Sequence, residues 1–292
     1  MFEQLGLIGC GLMGGSFALA LKNAGLVKRV VGYSKSPSTT SKARQLGVID
    51  IEAPSALLAV SGADIVLLAV PVAATENTFK AIKHLITPNT LVMDVGSTKR
   101  DVVDAARRAL REQVGSFVPA HPITGREVSG VEFADPHLYS GKNVILTPIE
   151  RTLPAQLAQA QAVWAALGCN VLQMTPESHD AAFAAVSHLP HLIAFAMMHG
   201  LVSQPQGQEY LALAGPGFRD FTRIAASDPH MWRDVLLANR EEILAQSQIF
   251  QKTLQTMEGM LTSNNVDGLV QMLEHASDSR ADWSMASLKP KN

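Results

Sequence analysis

One loop constrains this chain more than any other feature, because it sets three glycines at fixed spacing directly after a short apolar run. The stretch Leu5-Gly6-Leu7-Ile8-Gly9-Cys10-Gly11-Leu12-Met13-Gly14-Gly15 predicts a buried strand over residues 5–9, a tight turn, and a helix from Ser16 to Ala24. Gly9 suits the turn, Gly11 lets the backbone approach a pyrophosphate, and Gly14 lets the helix sit close to the sheet with its first amides facing the anion. The glycine spacing alone is weak evidence; the strand before it and the breaker-free helix after it give it weight. A second β-branched run, Arg29 to Tyr33, ends about twenty residues further on, where a ribose-reading residue belongs. The expectation is a nicotinamide or flavin dinucleotide cradled by Gly9, Gly11, Leu12, Met13 and Gly14.

The rest of the chain divides in two. Strand candidates alternate with helical runs up to Met174: Asp64–Val70, Leu91–Asp94, Ser116–Val118, Asn143–Thr147 and Asn170–Leu172. That alternation predicts an α/β, Rossmann-type doubly wound, mostly parallel sheet over residues 1–174. After Pro176 strand signals stop, and helix starts stand at Asp228-Pro229 and Asn265, which predicts an all-helical domain over residues 175–292. An apolar helical domain behind a complete nucleotide fold is expected to bury surface against a second copy, as a homodimer, although an intramolecular core could use the same residues.

Composition excludes several classes. At 292 residues with 47% hydrophobic and 17% charged residues the chain is globular with room for two cores. A net charge of −2 offers no general attraction to nucleic acid or anionic membranes. Two cysteines, Cys10 and Cys169, make no disulfide framework and fit a reducing cytoplasm. The uncharged stretch from Ala181 to Gln208 is long enough for a membrane span but contains His188, Pro190, His191 and His199; it reads better as a helix buried on all sides, within the domain or at a subunit interface.

Ligands of open α/β sheets bind beyond the carboxyl ends of the strands. Three such segments are unusual: Ala69-Val70-Pro71, Asp94-Val95-Gly96-Ser97-Thr98-Lys99, and Ala120-His121-Pro122 through Gly130. Val70 and Pro71 are expected to border the dinucleotide. His121, directly after a strand, is the candidate general base, with Ser97 on the adjacent loop as its hydrogen-bonding partner. Ser97 could equally cap the helix starting near Lys99. Lys99 and Arg100 read as solvated helix-start residues. In the helical half, His188 and His191 lack a third ligand at zinc-like spacing, so no metal is expected. Arg223, beside Phe221 and Ile224, reads as a buried arginine that needs an anion, either a side-chain carboxylate or that of a substrate.

These blocks together resemble the prephenate, arogenate and cyclohexadienyl dehydrogenases of tyrosine biosynthesis. The match runs in order through Gly9-x-Gly11-Leu12-Met13-Gly14-Gly15-Ser16, Asp94-Val95-Gly96-Ser97-x-Lys99, His121-Pro122-Ile123-x-Gly125-x-Glu127-x-Ser129-Gly130, Val186-Ser187-His188-Leu189-Pro190-His191 and Phe221-Thr222-Arg223 to Met231-Trp232. The resemblance implies hydride transfer from the C4 carbon of a cyclohexadiene ring to the nicotinamide, with loss of the ring carboxylate as carbon dioxide. It implies that His121 accepts the hydrogen bond of the C4 hydroxyl, that Ser97 orients both, and that Arg223 binds a substrate carboxylate. His191 would lie near the substrate, Glu127 near the pocket entrance and Trp232 in its wall, with His188 structural. A neutral His121 predicts a kcat/KM that rises with pH through about 6.5, the ordinary histidine value. Inhibition by tyrosine is a further implication, and the choice between prephenate and arogenate stays open.

Cofactor choice departs from the commoner pattern. An NAD-preferring site ends its second strand in Asp or Glu, which binds the ribose hydroxyls. Here the sequence reads Gly32-Tyr33-Ser34-Lys35-Ser36, which predicts NADP over NAD, with Ser34, Lys35 and Ser36 near the 2′-phosphate and use of NAD left open. Rival readings are a 3-hydroxyacid dehydrogenase or imine reductase of the same architecture, and a dinucleotide sensor without turnover; Ser97, His121 and Arg223 together argue against them.

Overall fold

Short apolar runs that are buried on both faces build the first half. In the computed structural model, which describes residues 1–125 and 128–283, strands β1 (Phe2–Ile8), β2 (Val27–Tyr33), β3 (Ile51–Glu52), β4 (Ile65–Leu68), β5 (Leu91–Asp94) and β6 (Phe117–Val118) form one parallel sheet in the order β3-β2-β1-β4-β5-β6. That is the doubly wound order, with its switch point between β1 and β4. Helices α1 (Leu12–Asn23), α2 (Pro37–Gln45), α3 (Ala56–Val60), α4 (Thr75–Ile82) and α5 (Arg100–Leu110) supply the crossovers. One core joins Leu5, Leu7, Phe17, Leu21 and Met93 on one face; Val66, Leu68, Phe79, Val92 and Phe117 fill the other.

The last predicted strands leave the main sheet. β7 (Ala120–Pro122), β8 (Asn143–Leu146) and β9 (Asn170–Gln173) form a separate three-stranded sheet, β7 antiparallel to β8 and β8 parallel to β9, with α6 (Pro154–Ala166) between the last two. His121 therefore lies within a short strand, opposite Ile145, and does not follow one. The second sheet is tied back to the glycine loop: Tyr139 donates to the Met13 carbonyl at 2.7 Å, and its ring packs among Phe17 and Trp164.

After Gln173 the described chain is helical: α7 (Pro176–Phe183), a π-helical turn Ala184–His188, α8 (Leu189–Val202), α9 (Gly207–Ala212), α10 (Pro216–Thr222), a 3-10 turn Arg223–Ala226, α11 (Pro229–Ala238), α12 (Arg240–Thr262) and α13 (Val266–Asp282). Asp228 and Asn265 cap α11 and α13 through their side chains, at the starts the sequence marks. The apolar segment Pro176–Val202 would be long enough to cross a membrane by composition. It is not buried on all sides in the single chain: Leu189 and Ala194 are the buried residues of α8, while Val186 and Met197 are exposed. The same holds for α12 and α13, where Leu244, Ile249, Phe250, Leu254 and Leu273 face outward.

Candidate active site

The glycine loop is shaped by contacts no larger residue would allow. Gly9 has a φ of +99°, and a Cβ there would stand 2.1 Å from the Ala69 carbonyl oxygen; a Cβ on Gly14 would stand 2.0 Å from the Gly9 oxygen. Gly11, by contrast, faces open space. It precedes α1 as the N-cap without a side-chain cap, so the first amides of the helix are left for an anion. These features fit the pyrophosphate of a dinucleotide.

A cleft of about 440 Å³ runs from this loop along the ends of β4, β5 and β7. Gly11, Leu12, Met13, Gly14, Val70 and Pro71 line it together with Ser97 and His121, and Asp228 and Met231 of the helical half complete the lining. Ser34, Lys35 and Ser36 lie outside that cavity, at the β2–α2 turn. Ser34 is half-buried, while Lys35 and Ser36 are exposed. Ser36 precedes α2 but does not cap it with its side chain, pairing with the Ser38 hydroxyl at 2.8 Å.

Ser97 and His121 share the cleft, but no hydrogen bond joins them among the described residues. His121 instead meets His179: Nδ1 lies 2.8 Å from His179 Nε2, and His179 Nδ1 lies 2.7 Å from Asp180 Oδ1. Nor does Ser97 cap α5. That helix begins at Arg100, and the Asp180 carboxylate accepts the amides of Lys99 at 2.8 Å and Arg100 at 2.9 Å, so the cap comes from the helical domain.

Lys99 is the largest departure from expectation. It is fully buried, its Nζ donating to Asp94 Oδ2 at 2.5 Å and to the Ala120 carbonyl at 2.8 Å. Asp94 in turn accepts the amides of Gly96 and Ala120. The pair locks the loop carrying Ser97 to the strand carrying His121. The sequence hides this because Asp94 ends a strand and Lys99 precedes a helix, and only the fold turns one back on the other.

Burial pushes His121 well below the ordinary 6.5, and the neighbouring His179, Lys99 and His188 add to the effect. His121 is therefore neutral further into acid than an ordinary histidine. Burial also lowers His179, against the pull of Asp180. For Asp180, burial pushes upward, but His179 and the amides of Arg100 and Lys99 prevail and hold the carboxyl below its usual range. His188 is buried and pushed down to about 4. Its Nδ1 lies 3.1 Å from the Asn239 side-chain nitrogen, which also donates to the Asp180 carbonyl at 2.8 Å.

The substrate-side candidates gather on α8, the 3-10 turn and α11. His191 donates from Nδ1 to the Ser187 carbonyl and stacks on Trp232 with ring centroids 3.5 Å apart. Arg223 opens the 3-10 turn that packs against α8. In the single chain it is exposed and not buried as its apolar neighbours suggest. Glu127, like Arg126, lies outside the described residues. No cluster of potential metal ligands is present among the described residues.

The missed residues are Lys99, His179, Asp180 and Asn239. The adjacent ionisable residues His179-Asp180, just before the run turns apolar at Ala181, were the available signal.

Comparison with known proteins agrees in both halves. The family model described as "Prephenate dehydrogenase, nucleotide-binding domain" matches residues 17–173, and "Prephenate dehydrogenase, dimerization domain" matches residues 175–275. The chain is 35% identical to the prephenate dehydrogenase of Bacillus subtilis over 96% of its own length and 76% of the relative's, and 32% identical to the cyclohexadienyl dehydrogenase of Zymomonas mobilis over 96% and 94%. Its fold superposes with a TM-score of 0.90 on the prephenate dehydrogenase of A. aeolicus solved with hydroxyphenyl propionate and NAD+, at 37% identity over 97% of this chain and 98% of that one. The chain belongs to the prephenate dehydrogenase family.

Proposed function

We propose that this enzyme oxidatively decarboxylates prephenate, arogenate or both, giving 4-hydroxyphenylpyruvate or tyrosine and carbon dioxide. The observation that carries the reading is the single cleft in which the glycine loop, Ser97 and His121 meet. The amides at the head of α1 hold the pyrophosphate, and Val70 and Pro71 border the dinucleotide. A bound nicotinamide supplies the acceptor for the hydride leaving C4. His121, neutral through burial, takes the proton of the C4 hydroxyl as the carbonyl forms, and the Ser97 hydroxyl orients that group. Arg223 holds a substrate carboxylate, His191 lies near the substrate, Trp232 walls the site through its stack on His191, and Glu127 stands at the entrance. Loss of the ring carboxylate makes the product aromatic, so the reaction runs one way. The test is carbon dioxide release by wild type and His121→Asn: the variant should lose at least about 100-fold in kcat, and near-normal turnover would overturn the assignment of the base.

NADP is the preferred dinucleotide in this reading, with NAD as an alternative. β2 ends without the carboxylate that would bind a ribose hydroxyl, and Ser34, Lys35 and Ser36 offer hydroxyls and a cation at the exposed head of α2. The enzyme works as a cytoplasmic homodimer. The outward apolar side chains of α12 and α13 are the surface a second copy would cover, and sedimentation of a single-chain species at micromolar concentration would contradict it. Tyrosine, the shape of the product, is the expected inhibitor.

A further inference from the structure

The geometry points to His179 and Asp180 as positioning residues that fix which nitrogen of His121 carries the proton, an inference that rests on His121 being the base. Three groups stand in line, His121 Nδ1 to His179 Nε2 at 2.8 Å and His179 Nδ1 to Asp180 Oδ1 at 2.7 Å. A carboxylate can only accept, so His179 carries its proton on Nδ1. A neutral His179 then offers only a lone pair at Nε2, and the bond between the rings must be donated by His121 Nδ1–H. A neutral His121 protonated on Nδ1 keeps its lone pair on Nε2, and this ring borders the cleft. One carboxylate, two bonds away, thereby sets the base in its working tautomer.

The surroundings hold this arrangement. Asp180 is fixed by the Lys99 and Arg100 amides, and its backbone carbonyl by Asn239. Phe183 stacks on His179 with centroids 4.4 Å apart and tilts against His121 at 4.9 Å, which fixes both rings. The charged and titratable groups facing the pair are Lys99 with its partner Asp94, beside β7, and His188 from the π-helical turn. Burial, with a smaller contribution from the Lys99 charge, disfavours a positive charge on either ring and keeps both neutral before the reaction. When His121 takes the hydroxyl proton on Nε2, its Nδ1–H stays bonded to His179, and the Asp180 carboxylate offsets the new charge through that chain.

The arrangement also joins the domains, since His121 belongs to the second sheet and His179-Asp180 to α7.

The test combines variants with a direct reading of the tautomers. Nitrogen-15 NMR of histidine-labelled wild-type protein should show His121 and His179 both protonated at Nδ1 and bare at Nε2; His121 protonated at Nε2 would overturn the proposal. Asp180→Asn and His179→Phe should each lower kcat between about 10- and 10⁴-fold while KM and the dissociation constant of NADPH stay within about threefold. Folded variants with wild-type kcat would also overturn it, as would a loss confined to KM. His121→Asn separates the two readings: if it is inactive while both other variants are normal, only the positioning role falls; if it remains active, the base itself is wrong.

Discussion

Replacing Lys99 with methionine tests how the loop bearing Ser97 and the strand bearing His121 are held together. Lys99 is fully buried and Asp94 nearly so, and the lysine closes two bonds, to Asp94 and to the Ala120 carbonyl. Methionine has similar volume and no charge, so Lys99→Met keeps the packing and leaves the Asp94 carboxylate buried with only the Gly96 and Ala120 amides. Breaking one side of a buried ion pair costs about 3–5 kcal/mol, out of a total stability on the order of 5–15 kcal/mol. For a domain of this size that lowers the thermal midpoint by roughly 6–20 °C. Adding Asp94→Asn removes the stranded charge, and the double variant should recover at least about 2 kcal/mol relative to the sum of the single changes. Urea unfolding of the four proteins at pH 7.5 gives the cycle. A cost below about 1 kcal/mol for Lys99→Met, or strict additivity, would refute the account of a locked pair.

Acid should destabilise the protein through its buried neutral histidines. His188 is held at about 4 against an unfolded value of about 6.5, so the unfolded chain binds the proton first. The stabilisation is complete above pH 6.5 and is lost as pH falls from 6.5 toward 4, about 3 kcal/mol for His188 alone; a urea midpoint flat between pH 7 and 4.5 would contradict it. Because burial also lowers His121, the acid limb of kcat/KM should lie below pH 6.5, and a limb above 7 would refute the neutral base. Gly9→Ala meets the Ala69 carbonyl in a backbone conformation that costs a side chain about 1–2 kcal/mol by itself, so NADPH binding followed by fluorescence should fall at least about tenfold. Lys35→Ala should raise the KM for NADP about tenfold and leave that for NAD unchanged; an unchanged NADP value would remove Lys35 from the site.

What could be seen in the sequence was what local physics dictates. The glycine spacing, with a strand before it and a helix after it, is a local pattern even though the contact that requires Gly9 comes from Ala69 in a distant loop, and β1, β2, β4 and β5 each hold a short apolar stretch whose burial follows from their position in a covered sheet. The all-helical second half followed from helix starts such as Asp228-Pro229, whose carboxylate caps α11. The strand β7 was hidden because three residues ending in proline are ordered only by pairing with β8, more than twenty positions away. Lys99 looked solvated because lysine before a helix usually is. Arg223 looked buried from Phe221 and Ile224, yet Phe221 itself is half exposed. His179 reaches His121 across 58 residues, a separation no local pattern reports.

The most direct measurement is the initial rate of nicotinamide reduction, followed optically, with prephenate and arogenate each paired with NADP and NAD. The account predicts turnover with at least one of the two substrates and a kcat/KM at least about tenfold higher with NADP than with NAD. No turnover in any pairing, by protein that still binds NADP, would contradict it.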